Sequence, residues 1–346
     1  MTVGVARAQA RVGRWQAFWI VAATFGLFLF AAAAPSPLYA VYAARWHFSA
    51  ISLTEVFAVY AIALLVALLI TGSLSDSVGR RPVILAGLAI QLVGMLMFVL
   101  ASSVEWLFAA RITQGIATGV VTSALSAASV DLQPIALIPE PATTRRALNL
   151  TPRVGVEPAV RTAFVAALPS LIAGWGVGGF YLSLGPSLAL QLAVSSNRIL
   201  GGIAIALLAG VGALSIIAVR AWAAGRAMRS GAIAQAVGLA LTVAAVALKA
   251  PVLFFIGTAA TGVGFGVAWL GVLRSLVGLA SATGRGALLA AIFIVAYLSF
   301  SIPAVVAGYA VTRVGLHDAA LWYGVAVEIL ALAGVAGTLL INRSAR

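Results

Sequence analysis

Three charged residues lie inside long apolar runs of this sequence, where a charge is expensive. Glu55 and Glu328 are carboxylates, and Arg111 is a guanidinium. A charge at the centre of a bilayer costs at least about 2.5–3.5 kcal/mol, so it normally faces protein or a water-filled cavity and carries a function. An intramembrane carboxylate is typical of a proton or cation site. We therefore predict Glu55 and Glu328 as candidates for proton coupling, and we expect Arg111 to face protein or water.

Each of these residues also has a structural alternative. Arg111 lies five residues after Trp106, near the start of its apolar run, so its side chain is equally expected to extend to the membrane interface. Glu328 is as consistent with a contact between helices as with a proton carrier. Glu55 lies near the end of its run, where we expect it to pair with Arg111.

The sequence offers few residues for disulfides, metal binding or catalysis. The chain has no cysteine, which excludes disulfides, thiol catalysis and thiolate metal sites. Its two histidines, His47 and His317, fall in short loops, so we expect no metal site and no cofactor. No phosphate-binding glycine loop follows a strand, and no catalytic constellation is present. An enzyme is therefore not expected.

The elements that must position the charged residues are membrane helices. Hydrophobic residues make up 63% of the 346 residues and charged residues 8%, against about 25% charged in soluble domains. Continuous runs of about 20 apolar residues predict transmembrane helices, since only helices and closed barrels satisfy their backbone in lipid. We predict ten spans, approximately 17–43, 50–73, 82–102, 106–130, 163–193, 199–219, 231–248, 251–272, 287–311 and 319–341.

The net charge of +13 follows the predicted topology and does not indicate a nucleic-acid partner. With the N-terminus in the cytoplasm, sixteen of the 21 basic residues fall inside and one, Arg111, lies within a span. The four outside are Arg45, Arg198, Lys249 and Arg313. This bias obeys the positive-inside rule and predicts a multi-pass inner-membrane protein with both termini cytoplasmic. The N-terminal apolar run is longer than that of a signal peptide, which favours an uncleaved first helix.

The chain is predicted to divide into two unequal halves. Residues 131–162 form the one long polar segment, rich in proline and arginine, and are predicted to be a cytoplasmic linker. Residues 1–130 supply four spans before it, and residues 163–346 supply six after it. A Pro-Ser pair followed closely by leucine recurs late in the first span of each half, as Pro-Ser-Pro-Leu at 35–38 and as Pro-Ser-Leu at 186–188, which suggests a weak internal repeat.

A charged turn between the second and third spans carries the most specific motif. Residues 72–82 have the pattern G-x-L-S-D-x-x-G-R-R, and the fourth span carries R-x-x-Q-G-x-x-x-G at 111–119. In this position the two motifs resemble those of major facilitator superfamily (MFS) transporters. The resemblance implies an all-α integral membrane protein, a two-half helical bundle of MFS type with about ten helices arranged as four plus six. The fifth and sixth helices of that fold are absent from this sequence.

The resemblance also implies roles for particular residues. Arg111 is expected to take part in proton coupling or to hold the fourth helix against its neighbours. The turn is expected to act as a gating latch, formed by Gly72, Asp76, Gly79, Arg80, Arg81 and Asp131. The first and fourth helices of each half are expected to line a central cavity. Candidates for contact with the solute are Ser36, Tyr39, Gln114, Thr118, Trp175, Tyr181, Ser187, Thr261 and Trp269.

The function implied is secondary active transport of a small organic solute, proton-coupled, by alternating access. The expected partners are the lipid bilayer, the solute and the proton. The alternative is a degenerate relative that no longer transports and acts as a membrane interaction or sensor protein, or is inactive. In that case the flank left by the absent helices is expected to support self-association through the third and fourth spans.

Overall fold

The computed structural model describes residues 14–71, 78–131, 154–281 and 283–344. These residues form helices and no strand, which confirms the predicted all-α class. The helices are α1 (Arg14–Ala33), α2 (Tyr39–Trp46), α3 (Ala50–Thr71), α4 (Arg80–Val99), α5 (Val104–Asp131), α6 (Pro158–Ser183), α7 (Gly185–Leu192), α8 (Ile199–Ala218), α9 (Ala224–Ala247), α10 (Pro251–Leu279) and α11 (Arg285–Ser344), with a 3-10 turn over Ser36–Leu38.

Seven helical segments of the described chain are long and apolar enough to cross a membrane. They belong to α3, α4, α6, α8, α9, α10 and α11. Gly315 interrupts α11 with a positive φ of 83°, so this segment is two helices, 285–314 (α11a) and 316–344 (α11b). The predicted first and fourth spans correspond to α1 and α5, of 20 and 28 residues. The total of ten spans and the division into halves stay predictions.

Two predicted spans are wrong in their continuity. The span 17–43 ends as an α-helix at Ala33 and continues through the 3-10 turn into α2. The span 163–193 begins earlier, at Pro158, and breaks at Leu184 before α7. Proline lacks a backbone N–H and obstructs the preceding turn, which ends each helix inside a run that is otherwise apolar throughout. The breaks occur at the two Pro-Ser sites, 35–36 and 186–187.

The predicted linker is also too long at its C-terminal end. Residues 158–162 are the first turns of α6, with Pro158 at a position where its missing N–H costs nothing. Residues 132–153 lie outside the described residues.

Small residues bring helices into close contact within each half. A side-chain carbon at Gly119 of α5 would lie 2.4 Å from the carbonyl oxygen of Leu64 in α3. A side-chain carbon at Gly264 of α10 would lie 2.1 Å from the backbone nitrogen of Gln235 in α9. Only glycine permits these crossings, in the way that small residues pack membrane helices.

The N-terminal and C-terminal helices meet along one apolar seam, which we define as the contact between α3 and α11a. It contains Phe57, Tyr60, Ala61, Leu64, Leu68, Tyr297 and Phe300, all buried. The rings of Phe57 and Phe300 have centroids 4.8 Å apart across it. On another side, α8 reaches the N-terminal helices at the 3-10 turn.

Candidate functional site

Arg111 ties α5 to the end of α1. Its Nη1 donates to the carbonyl oxygen of Ala32 at 2.8 Å and to Oε1 of Gln114, and its Nε donates to the hydroxyl of Tyr39. The Nε2 of Gln114 donates to the carbonyl oxygen of Ala31 at 2.8 Å. The helix break after Ala33 leaves carbonyl groups at the end of α1, and these two side chains satisfy them.

The guanidinium of Arg111 is completely buried. Its central carbon lies 5.3–5.6 Å from the centroids of four rings, Tyr39, Phe57, Tyr60 and Phe98. Such rings stabilise a cation by their negative faces, by about 2 kcal/mol or more once it is desolvated. Within the described chain no carboxylate pairs with Arg111, and its Nη2 has no hydrogen-bond partner. The result is a buried positive charge held by carbonyls and aromatic rings.

Two sequence-based expectations for Arg111 are therefore wrong. The side chain does not extend to the interface, because it is buried among these rings. The expected pair with Glu55 does not form, since Glu55 is exposed on α3 while Arg111 points into the bundle. Glu328 on α11b is half-buried, and its Oε2 is enclosed without a partner among the described residues.

A second buried polar site lies between α6, α9 and α10. It is a small cavity of about 10 Å³, lined by Ser170, Leu171, Gly174, Trp175, Gln235, Phe265, Ala268, Trp269 and Val272. We call it the α6–α9–α10 pocket. Both amide atoms of Gln235, the Oγ of Ser170 and the Nε1 of Trp175 are buried there without a hydrogen-bond partner in the described part of the chain. Buried polar atoms without a protein partner normally bind an ordered water or an ion, or serve a function.

Trp175 joins this pocket to the seam. Its indole lies edge-on to Trp269, with centroids 5.5 Å apart, inside the pocket. On its other side it contacts Tyr297 at 4.9 Å and Phe300 at 6.2 Å, both in the seam. A movement of the seam must therefore move one wall of the pocket.

The remaining cavity candidates lie in different surroundings. Tyr181 is completely buried, and its hydroxyl is hydrogen-bonded to Thr242 at 3.0 Å and Thr258 at 2.9 Å. Thr118 and Thr261 are buried, and their hydroxyl groups donate hydrogen bonds to backbone carbonyls one turn earlier in their own helices. The structure gives these three residues internal partners, and it places none of them on the α6–α9–α10 pocket.

The serines of the two helix breaks differ in exposure. Ser36 is buried, and its Oγ has no partner among the described residues, whereas Ser187 is half-buried. The two positions are therefore natural reporters of access to the protein interior.

The latch turn is described only in part. Gly72 and Asp76 lie outside the described residues, as do the side chains of Arg80 and Asp131. Gly79 has a φ of 97° and precedes α4, and Arg81 is exposed. A positive φ favours glycine, which accounts for Gly79 at this turn. The latch itself stays a prediction.

Sequence reasoning missed three polar residues. Ser170 and Gln235 carry the polar side of the pocket, and a lone amide in an apolar run was the available signal. Glu157, within the predicted linker, accepts hydrogen bonds from the backbone N–H of Ser281 at 2.9 Å and from its hydroxyl at 2.5 Å. These bonds, first that from the hydroxyl, lower the pKa of the Glu157 carboxyl below its usual value. No group of three or more metal-ligating side chains occurs within the described ranges.

Apolar helices of membrane-spanning length, with buried polar clusters between them, define a multi-pass membrane protein. The sequence model of the Major Facilitator Superfamily matches residues 17–136, about a third of the chain. This match supports a protein similar to the Major Facilitator Superfamily, whose members are generally transporters rather than enzymes. No match to this chain is found among the curated proteins.

Proposed function

We propose that this protein is a secondary active transporter that carries a small organic solute across the inner membrane by alternating access. The observation that carries the proposal is the position of the two buried polar sites. The Arg111 cluster and the α6–α9–α10 pocket both contact the seam, through Phe57 and Trp175 respectively. In a transporter of this type, two helical bundles rock about a central site.

The seam is the surface along which the two bundles are proposed to move. It is formed mainly by aromatic and aliphatic side chains. Alternating access requires two arrangements of these contacts that differ little in free energy.

Proton coupling is the second part of the proposal. Arginine does not release its proton in proteins, so Arg111 acts by its fixed charge and its hydrogen bonds, and a carboxylate must carry the proton. Glu328 suits this role better than Glu55, because it is half-buried while Glu55 is exposed.

The proposed cytoplasmic position of both termini rests on the arginine distribution, and so does the side of the membrane assigned to each loop.

The test uses the absence of cysteine in the chain. Single cysteines at Ser36 and Ser187 are labelled with a membrane-impermeant thiol reagent from each side of the membrane, with and without Asp76→Asn. Alternating access requires labelling from both sides and a change of the ratio in the latch variant. In the present conformation Ser187 should react faster than the buried Ser36.

Labelling from one side alone, at both positions and with Asp76→Asn, would reject transport by alternating access. The degenerate, non-transporting protein would then be the better description. Self-association through α4 and α5 would be the next property to measure.

A further inference from the structure

The α6–α9–α10 pocket has a composition that defines a chemical class of ligand. Its buried and unpartnered polar groups are the carboxamide of Gln235, the hydroxyl of Ser170 and the indole N–H of Trp175, and the described residues around it carry no charge. The amide of Gln235 offers two hydrogen-bond donors and one acceptor atom. The hydroxyl of Ser170 can donate or accept a hydrogen bond, and the indole of Trp175 can only donate one. A charged ligand would find no neutralising group in this lining, and a hydrocarbon would leave these polar atoms buried and unpaired.

Gln235 is held so that its amide points into the cavity. It is 1% exposed, and the backbone of Gly264 packs against its own backbone. A carbon placed on Gly174, in the opposite wall, would lie 3.7 Å from Oε1 and 3.8 Å from Nε2 of Gln235. Both polar atoms of the amide therefore face the free space beside α6.

We propose that this pocket recognises a neutral solute through a carboxamide or lactam group attached to a flat ring. The ligand's carbonyl accepts from Nε2 of Gln235 or Nε1 of Trp175, and its N–H donates to Oε1 of Gln235. Trp175, Trp269 and Phe265 form the apolar walls that contact the ring. This inference rests on the proposed transport function and names the class of its substrate.

The pocket is closed around its polar atoms in this structure. A volume of about 10 Å³ is at the lower limit for a single water molecule. The ligand must therefore enter when Trp175 moves, and Trp175 contacts the seam residues Tyr297 and Phe300. Occupation of the pocket is coupled to the arrangement of the two bundles by this one side chain.

The chain offers a matched pair of variants on one helix. A methyl group at Gly174 would project into the pocket with no contact closer than 3.7 Å, so Gly174→Ala fills the space without a clash. A methyl group at Gly176 would contact Val327 of α11b at 3.4 Å, away from the pocket. Gly176→Ala is therefore the control for the same substitution in the same helix.

The experiment measures binding of tritiated benzamide to the purified full-length protein in lipid nanodiscs. We expect saturable binding that Gly174→Ala weakens about tenfold or more, because the added methyl group occupies the space beside the Gln235 amide that the ligand needs. Gly176→Ala should stay within about twofold of the unsubstituted protein. Acetophenone, which lacks the amide donors, should compete about tenfold more weakly than benzamide, and benzoate should not compete.

Absence of saturable benzamide binding would overturn the proposal, and so would equal binding by Gly174→Ala and Gly176→Ala. Equal competition by benzamide and acetophenone would overturn the amide class. Cysteine accessibility at Ser187 separates this failure from failure of the transport proposal. Access from both sides without benzamide binding rejects the ligand class alone, whereas binding with access from one side supports the pocket and rejects transport.

Discussion

The ring centroids of Trp175 and Tyr297 lie 4.9 Å apart, with the rings inclined at 61°. Trp175 belongs to the wall of the α6–α9–α10 pocket, and Tyr297 belongs to the seam with α3. This contact is the shortest connection between the proposed ligand site and the surface along which the two bundles meet.

Replacement of Tyr297 by leucine should weaken the seam and increase access to the interior. An edge-to-face aromatic pair contributes about 0.5–1.5 kcal/mol beyond its buried area, and Tyr297 makes such contacts with Trp175. We expect the labelling rate of a cysteine at Ser36 to rise severalfold in Tyr297→Leu. Tyr309→Leu, at an exposed position of the same helix, is the control. Similar labelling rates in the two variants would show that the seam does not control access.

Arg111→Lys should destabilise the protein although it keeps the charge. A lysine ammonium cannot reach Ala32, Gln114 and Tyr39 with the planar fork of a guanidinium. Each lost hydrogen bond to a charged group costs about 1.5–3 kcal/mol, and the remaining charge is buried. Thermal unfolding in nanodiscs should show a clear decrease, while Arg198→Lys, at an exposed site, should change stability by less than about 0.5 kcal/mol. An unchanged unfolding temperature in Arg111→Lys would mean that the cluster is not a structural anchor.

The fold class was predictable from the sequence because membrane helices are fixed by local properties. A run of about 20 apolar residues satisfies its backbone only as a helix, wherever its neighbours lie. The errors fall where this argument is incomplete. Pro35 and Pro186 end or restart helices inside apolar runs, and Gly315 separates two helices with a positive φ. These prolines and this glycine are present in the sequence, but a hydropathy average does not include their effect on the backbone.

The site was predictable only in part. Arg111 and Gln114 are three residues apart, so helical spacing already places them on one face of α5. Their carbonyl partners on α1 depend on the helix break and could not be inferred. The pocket needs the relative packing of α6, α9 and α10, which no pattern within one helix determines. For that reason Trp175 and Trp269 were named from the sequence, while Gln235 between them was missed.

The hydrogen bonds from Ser281 to Glu157 should make the α10–α11 turn sensitive to acid. These bonds lower the pKa of Glu157 below its ordinary value of 4.5. They therefore stabilise the turn fully at pH values above 4.5, and this stabilisation is lost as the pH falls through the lowered pKa. We expect hydrogen-exchange protection of Ser281 and of residues 283–288, corrected for intrinsic rates, to be constant near neutral pH and to decrease in acid.

Glu157→Gln should reduce this protection already at neutral pH, because a neutral amide oxygen is a weaker acceptor than a carboxylate, and the remaining protection should no longer vary with acidification. Glu105→Gln, on the distant helix α5, serves as the control. If Glu157→Gln kept the pH dependence of the unsubstituted protein, another group would be responsible.

Gly308→Val should separate α11a from α3 near the end of the seam that the arginine distribution places outside. A side-chain carbon at Gly308 would lie 2.1 Å from Oγ1 and 2.8 Å from Cβ of Thr54, so the helices must move apart. We expect faster labelling of a cysteine at Ser36 from the outside, with a cost of about 1–3 kcal/mol in stability. Gly286→Val is the control, since that glycine of α11a has open space around it.

The double variant Gly308→Val with Thr54→Ala should partly restore the slow labelling, because the substitution at Thr54 removes its Oγ1 and Cγ2 atoms, which would lie 2.1 Å and 2.6 Å from the added carbon. Identical labelling by Gly308→Val and Gly286→Val would place the outward opening elsewhere in the bundle.

Gln235→Leu should separate stability from binding. The amide of Gln235 is buried without a protein partner in the described structure, which costs about 1–3 kcal/mol relative to an apolar side chain of similar size. The leucine variant should therefore unfold at a higher temperature than the unsubstituted protein, and it should bind benzamide about tenfold more weakly.

Gln91 provides the control, since its amide in α4 is also buried and unpaired in the described structure but lies away from the pocket. Gln91→Leu should raise the unfolding temperature and leave benzamide binding unchanged. A stabilised Gln235→Leu protein that still bound benzamide fully would show that the amide serves neither packing nor recognition. A buried polar side chain that lowers the stability of a protein is expected where function requires it.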